Sequence, residues 1–62
     1  IMASITSKEL GAIGDALALE QNLVQKYTAY AACATDNTLK AKYEEIAAAH
    51  KRHYDELYSN LK

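Results

Sequence analysis

Apolar residues recur at helical spacing through both halves of the chain. In the first half they fall at Leu10, Ile13, Leu17, Val24, Tyr27, Ala31 and Ala34, in steps of three and four around a single gap. Continuing that rhythm through the gap reaches Glu20. Ala16, Leu23 and Tyr30 widen the stripe on one flank, while Asp15, Gln21, Asn22, Gln25, Lys26 and Thr28 occupy the other side. The second half repeats the pattern at Leu39, Tyr43, Ile46, then positions 50 and 53, then Leu57, with Ala47, Tyr54 and Leu61 alongside. Positions 50 and 53 are both histidine. Each half therefore predicts an amphipathic helix whose apolar face is wider than a two-stranded seam.

Local signals set the ends. Thr6 and Glu9 stand at the spacing of a capping box, and Ile5 and Leu10 at that of a hydrophobic staple, so the first helix is expected to start near Ser7. Gly11 and Gly14 weaken its first turns by up to about 1 kcal/mol each relative to alanine and leave a later start at Asp15 open. Thr35-Asp36-Asn37-Thr38 breaks the periodicity. Asp36 is the preferred N-cap of the second helix, with Thr38 the alternative. The expected organisation is a tail over 1–6, a first helix over 7–35, and a turn and second helix over 36–62, all one domain. So short a turn makes the helices antiparallel neighbours. Lys51–Asp55 and Arg52–Glu56 are i,i+4 pairs on a solvated face.

Composition narrows the class. Half of the 62 residues are apolar, twelve are alanine, none is proline, and the net charge is −1. Such a chain is too apolar for a disordered tail and too nearly neutral for a nucleic-acid binder. No uninterrupted apolar run approaches the length of a membrane span. Met2-Ala3-Ser4 reads as a start behind one extra residue, and no charged stretch leads into an apolar one, so cytoplasmic synthesis is expected. The lone Cys33 fits a reducing compartment and falls at an outward position with no base beside it.

Two helices in contact bury only the strip between them, and each predicted face is wider than that strip. A partner must cover the remainder. The expected fold is all-α: an antiparallel hairpin that dimerises into a four-helix bundle, unless a longer chain supplies the missing helices.

The polar seam positions carry the candidate chemistry. With a turn near residue 36, facing residues sum to roughly 70 to 73. Tyr27 then meets Tyr43 and Ile46, Ile13 meets Leu57, and Glu20 meets His50 and His53. All three polar seam residues converge on one layer. A carboxylate removed from water must be paired or coordinate a metal. Either Glu20, His50 and His53 form a metal site, or Glu20 accepts hydrogen bonds from the histidines and from tyrosine hydroxyls, or one histidine turns to the rim. Tyr27, two turns beyond Glu20 on the same face, is expected as a core aromatic or as a hydrogen-bond partner of the site. No phosphate-binding loop or activated nucleophile is present, and no enzymatic activity is expected.

Glu20-x6-Tyr27 on one helix, with a spaced pair ending in histidine on the next, resembles the ferritin-like superfamily, whose bundles bind di-iron through helix glutamates and Glu-x-x-His pairs. The segment 46–53 looks like the second-helix segment of rubrerythrin-type proteins, with His50 in the place of the glutamate and His53 in that of the histidine. A nitrogen-rich set of this kind suits zinc or a single metal better than an oxygen-bridged di-iron centre. A closer likeness is to the Coat F family of spore coat proteins. It is carried by the segment Asp15 to Tyr27, by Cys33-Ala34-Thr35, by Leu39 and by Ala49-His50, over roughly residues 8 to 61. On that alignment His50 is the family-like histidine. The resemblance implies a ferritin-like bundle, a homodimer, a place in the spore coat with other coat proteins as partners, and zinc or iron as the candidate cofactor. An interaction module without chemistry is the remaining reading.

Overall fold

Thr6 opens the first helix as the capping box requires. Its hydroxyl accepts from the Glu9 amide at 3.1 Å, and the Glu9 carboxylate accepts from the Thr6 amide at 3.0 Å. Two amides that the helix itself leaves without partners are thereby satisfied. Hydrogen bonding of the carboxylate by Thr6, from its backbone amide first and its hydroxyl second, holds the Glu9 carboxyl below its ordinary value of 4.5. Leu10 of the expected staple remains 48% exposed, so the staple covers little.

The computed structural model describes residues 5–61. Positions 1–4 of the expected tail, the expected start at Met2 and the terminal position 62 lie outside the described residues. Helix α1 spans Ser7–Cys33 and helix α2 spans Asn37–Ser59. The start is at Ser7, not at Asp15. Helix α1 stops two residues before the expected boundary at 35, because Ala34 is already extended (φ −71°, ψ 132°) and only its amide reaches back, to the Tyr30 and Ala31 carbonyls. Asp36 caps α2, its carboxylate accepting from the Leu39 amide at 2.9 Å. Among the described residues there is no strand, and no helix is long and apolar enough to cross a membrane.

The two helices lie side by side as an antiparallel hairpin measuring 47 × 15 × 11 Å. The expected register holds: Tyr27 meets Tyr43 with ring centroids 6.0 Å apart, and Glu20 meets His50 and His53. Among the described residues only Ala31 and Ala47 are buried. Ile13, Leu17, Val24, Tyr27, Tyr43, Ile46, Tyr54 and Leu57 are half-buried, which is the limit for a seam with one wall on each side. Lys51 and Asp55 pair at 3.5 Å on the solvated face. Arg52 and Glu56 do not close to ion-pair distance.

The radius of gyration, 14.5 Å, exceeds the value of about 10.6 Å for a globular domain of this length. The accessible surface, 4670 Å², exceeds the roughly 4,000 Å² of a folded monomer of this mass. The surplus includes large apolar side chains, among them Leu19 at 58% and Tyr30 at 46% exposed.

The caps and glycines give direct tests. Thr6→Ala should lower stability by about 1 kcal/mol in urea unfolding, and Asp36→Ala by about the same. A Cβ added at Gly11 or Gly14 would meet nothing within 4 Å, and neither glycine has a positive φ. Gly11→Ala and Gly14→Ala should therefore each raise stability by up to about 1 kcal/mol in the same assay. Because the Glu9 carboxyl is depressed in the folded chain, its stabilising contribution is present above pH 4.5 and is lost as pH falls through the folded value below it. The protection factors of the Glu9 and Leu10 amides, exchange rates taken relative to the intrinsic rate at each pH, should fall over that window, and Glu9→Gln should remove the dependence.

Candidate functional site

The helical repeat places the site. Glu20 sits mid-way along α1 on the seam, thirteen residues from Cys33, and His50 sits thirteen residues from Asn37 at the start of α2. The tight turn holds the two at one height. His53, three residues on, brings its ring to the same side of α2. The result is a layer of one carboxylate and two imidazoles across the hairpin.

His50 Nδ1 lies 2.7 Å from Glu20 Oε1, a direct hydrogen bond in which the ring N–H donates to the carboxylate. His53 Nδ1 lies 3.5 Å from Glu20 Oε2. Side-chain exposure is 18% for Glu20, 24% for His50 and 51% for His53. The layer thus combines two of the expected arrangements. Glu20 and His50 form a half-buried pair, and His53 stands at the rim within reach of the second carboxylate oxygen. One ligand atom from each of the three residues lies within 4.8 Å of the others.

Tyr27 joins this layer through its ring, as a seam aromatic and not as a hydrogen-bond partner. Its hydroxyl makes no hydrogen bond to Glu20 or the histidines. Its ring stacks on His50 instead, centroids 6.2 Å apart and planes 17° from parallel. The stack and the Glu20 hydrogen bond together fix the plane of the His50 ring. The aromatic contacts continue along the seam: Tyr27 meets Tyr30 at 5.7 Å, Tyr30 meets Tyr43 at 5.4 Å, and His50 meets His53 edge-on at 5.7 Å. Lys26 Nζ lies 5.6 and 5.7 Å from the Tyr27 and Tyr30 centroids, within cation–π range. Cys33 is exposed at the end of α1, in a shallow groove with Tyr30, Ala34, Leu39 and Tyr43 and no basic side chain lining it.

One residue of the exposed face escaped the periodic reading. Leu19 completes a second row on α1 with Ala12, Ala16, Leu23 and Tyr30, at steps of four, three, four and seven. The signal was present as a parallel stripe one flank over from the seam. His53 follows the seam residue His50 by three positions, as Leu23 follows Glu20. In an antiparallel pair an equal rotation from the seam leads to the same face. The Glu20–His50–His53 layer therefore opens at its His53 edge onto the face that carries Leu19, Leu23 and Tyr30.

A di-iron centre of the ferritin-like kind does not fit this donor set. Such a centre draws on several carboxylates, and imidazole does not bridge two irons as a glutamate does. The layer offers a single carboxylate. No protein-family model matches the chain, and no characterised protein or solved structure matches it.

The unequal burial of the histidines makes a prediction. Glu20→Ala removes a charge-assisted hydrogen bond and leaves the half-buried His50 N–H unpaired. It should cost about 1 to 2 kcal/mol in chemical unfolding, the lower part of the usual range because the pair is partly hydrated. His53→Ala breaks a contact at an exposed ring and should cost under about 1 kcal/mol.

Proposed function

We propose that the chain is a self-associating structural module: two hairpins pack through the face carrying Leu19, Leu23 and Tyr30 and build a four-helix bundle with two-fold symmetry. The observation that carries this reading is the surface surplus. The chain is half apolar, yet among the described residues only Ala31 and Ala47 are buried, while Leu19 and Tyr30 of that face stay exposed and Leu23 beside them is half-buried. A second copy is the favoured occupant because the uncovered row has the step pattern of a helix-packing stripe on a helix of 27 residues. An identical row facing it across a two-fold axis brings apolar side chains against apolar side chains. The net charge of −1 adds little repulsion between copies. The resemblance to Coat F proteins supplies the biological setting: a helical building block of the spore coat, assembling with itself and with other coat proteins, without catalysis.

Sedimentation equilibrium across a dilution series tests the assembly. The expected species has twice the 6.8 kDa chain mass. Leu19→Glu combined with Leu23→Glu should weaken association at least about tenfold, since burying either carboxylate at the contact costs more than 1.4 kcal/mol. A fully helical, cooperatively unfolding 6.8 kDa monomer at all concentrations would exclude the reading. The setting is tested separately by fractionating spores of a producing organism, where the chain should be extracted with the coat layer.

A further inference from the structure

We propose that Glu20, His50 and His53 of a single hairpin form a mononuclear site for a zinc-class divalent cation. This goes beyond self-association and does not depend on it. Three observations converge. One ligand atom from each residue already lies within 4.8 Å of the others, across two helices joined by a short turn. Both imidazoles turn Nδ1 toward the same carboxylate, His50 at 2.7 Å from one oxygen and His53 at 3.5 Å from the other. The His50 ring is held in plane by the Tyr27 stack, as an oriented ligand needs to be.

The distances decide what must move. Ligands at about 2.0 to 2.2 Å from a tetrahedral zinc stand roughly 3.3 Å from one another. The Glu20–His53 spacing already matches. The Glu20–His50 spacing is shorter, because a hydrogen atom and not a cation occupies that gap. Seating the cation requires the hydrogen of each neutral imidazole to reside on Nε2 and the Glu20–His50 pair to open by about half an ångström, which is within the play of side-chain tips. No covalent bond changes. His53, half-exposed, provides the entry side and leaves a fourth coordination position to water.

Donor chemistry sets the class of ion. Magnesium and calcium take six or more oxygen ligands, and this layer supplies one carboxylate. Two imidazoles and a carboxylate suit zinc, and for one such site zinc stands above iron(II) in the order of affinity.

The test is calorimetric titration of the full, chelator-stripped chain with zinc(II), with magnesium(II), and anaerobically with iron(II), alongside the visible spectrum of the cobalt(II) form. The expected result is saturation at one zinc per chain with micromolar or tighter affinity, no saturation by magnesium, weaker binding of iron(II), and intense cobalt bands of a low-coordinate ion. His53→Gln, at an exposed position where folding is undisturbed, should lose at least about tenfold in zinc affinity, because replacing even a residue behind a metal ligand costs that much. Glu20→Gln should lose more. Zinc affinity unchanged in His53→Gln, comparable saturation by magnesium, tighter iron(II) than zinc, or one zinc per two chains would each overturn the assignment. Sedimentation of the same samples separates this outcome from that of self-association: a zinc-binding monomer keeps the site and removes the dimer, and a dimer without zinc does the reverse.

Discussion

Two helices share one seam, and that geometric limit governs the rest of this molecule. Each helix has a full circumference of side chains, but the neighbour covers only a narrow sector of it. Among the described residues the covering comes nearest to complete where small side chains let the backbones approach, at Ala31 and Ala47. Everything larger on the seam is half in water. The hairpin therefore holds its shape less by a packed interior than by the agreement of local devices: a capping box at one end of α1, an aspartate cap on α2, and a turn too short to let the helices slide. Local propensity, capping and register point the same way, and the fold is consistent at every level at which it can be read.

Within that seam, the polar layer has a distinct role. An all-apolar stripe at steps of three and four tolerates a shift by one turn, since leucine meets alanine or tyrosine with similar gain. Glu20 does not tolerate it. A slip of one turn would take its carboxylate from two imidazoles and set it against Ile46 or Leu57, leaving a partly desolvated charge unpaired. The hydrogen bond to His50 thus contributes modestly to stability and more to register. A polar residue on a helical seam typically sacrifices some burial energy to exclude alternative pairings. Tyr27 stacks on His50 and meets Tyr30 and Tyr43, so aromatic contacts continue the apolar seam beside the layer.

Much of this was legible in the residues themselves. Thr6-x-x-Glu9 marked the start of α1 and Asp36 that of α2, because caps depend on neighbours in sequence. The layer was legible too, because in an antiparallel hairpin the turn alone fixes which residues face each other. The fine geometry was not. Whether Tyr27 offers its hydroxyl or its ring to the site depends on a rotamer, and the stack on His50 shows the ring prevailing. Whether His53 lies in the seam or at its rim depends on the helix crossing, which periodicity leaves open by tens of degrees. Helix α1 ends at Cys33 because Ala34 leaves the helical region, and nothing in the Ala-rich run before it announces that. Leu19 was missed for a related reason: a stripe read at one angle conceals a second stripe one flank away.

That second stripe joins the two halves of the account. His53 is the only member of the polar layer that is half in solvent, and the helical repeat puts its position on the side of Leu19, Leu23 and Tyr30. A body seated on that face would remove water from the edge of the layer and lower the local dielectric around Glu20, which strengthens every interaction the carboxylate makes with a positive partner. The converse also holds. A cation drawing Glu20 and His53 together would fix the rim side chain that borders the face and reduce the ordering cost of docking there. Cover on the face and occupancy of the layer would then favour each other through one side chain.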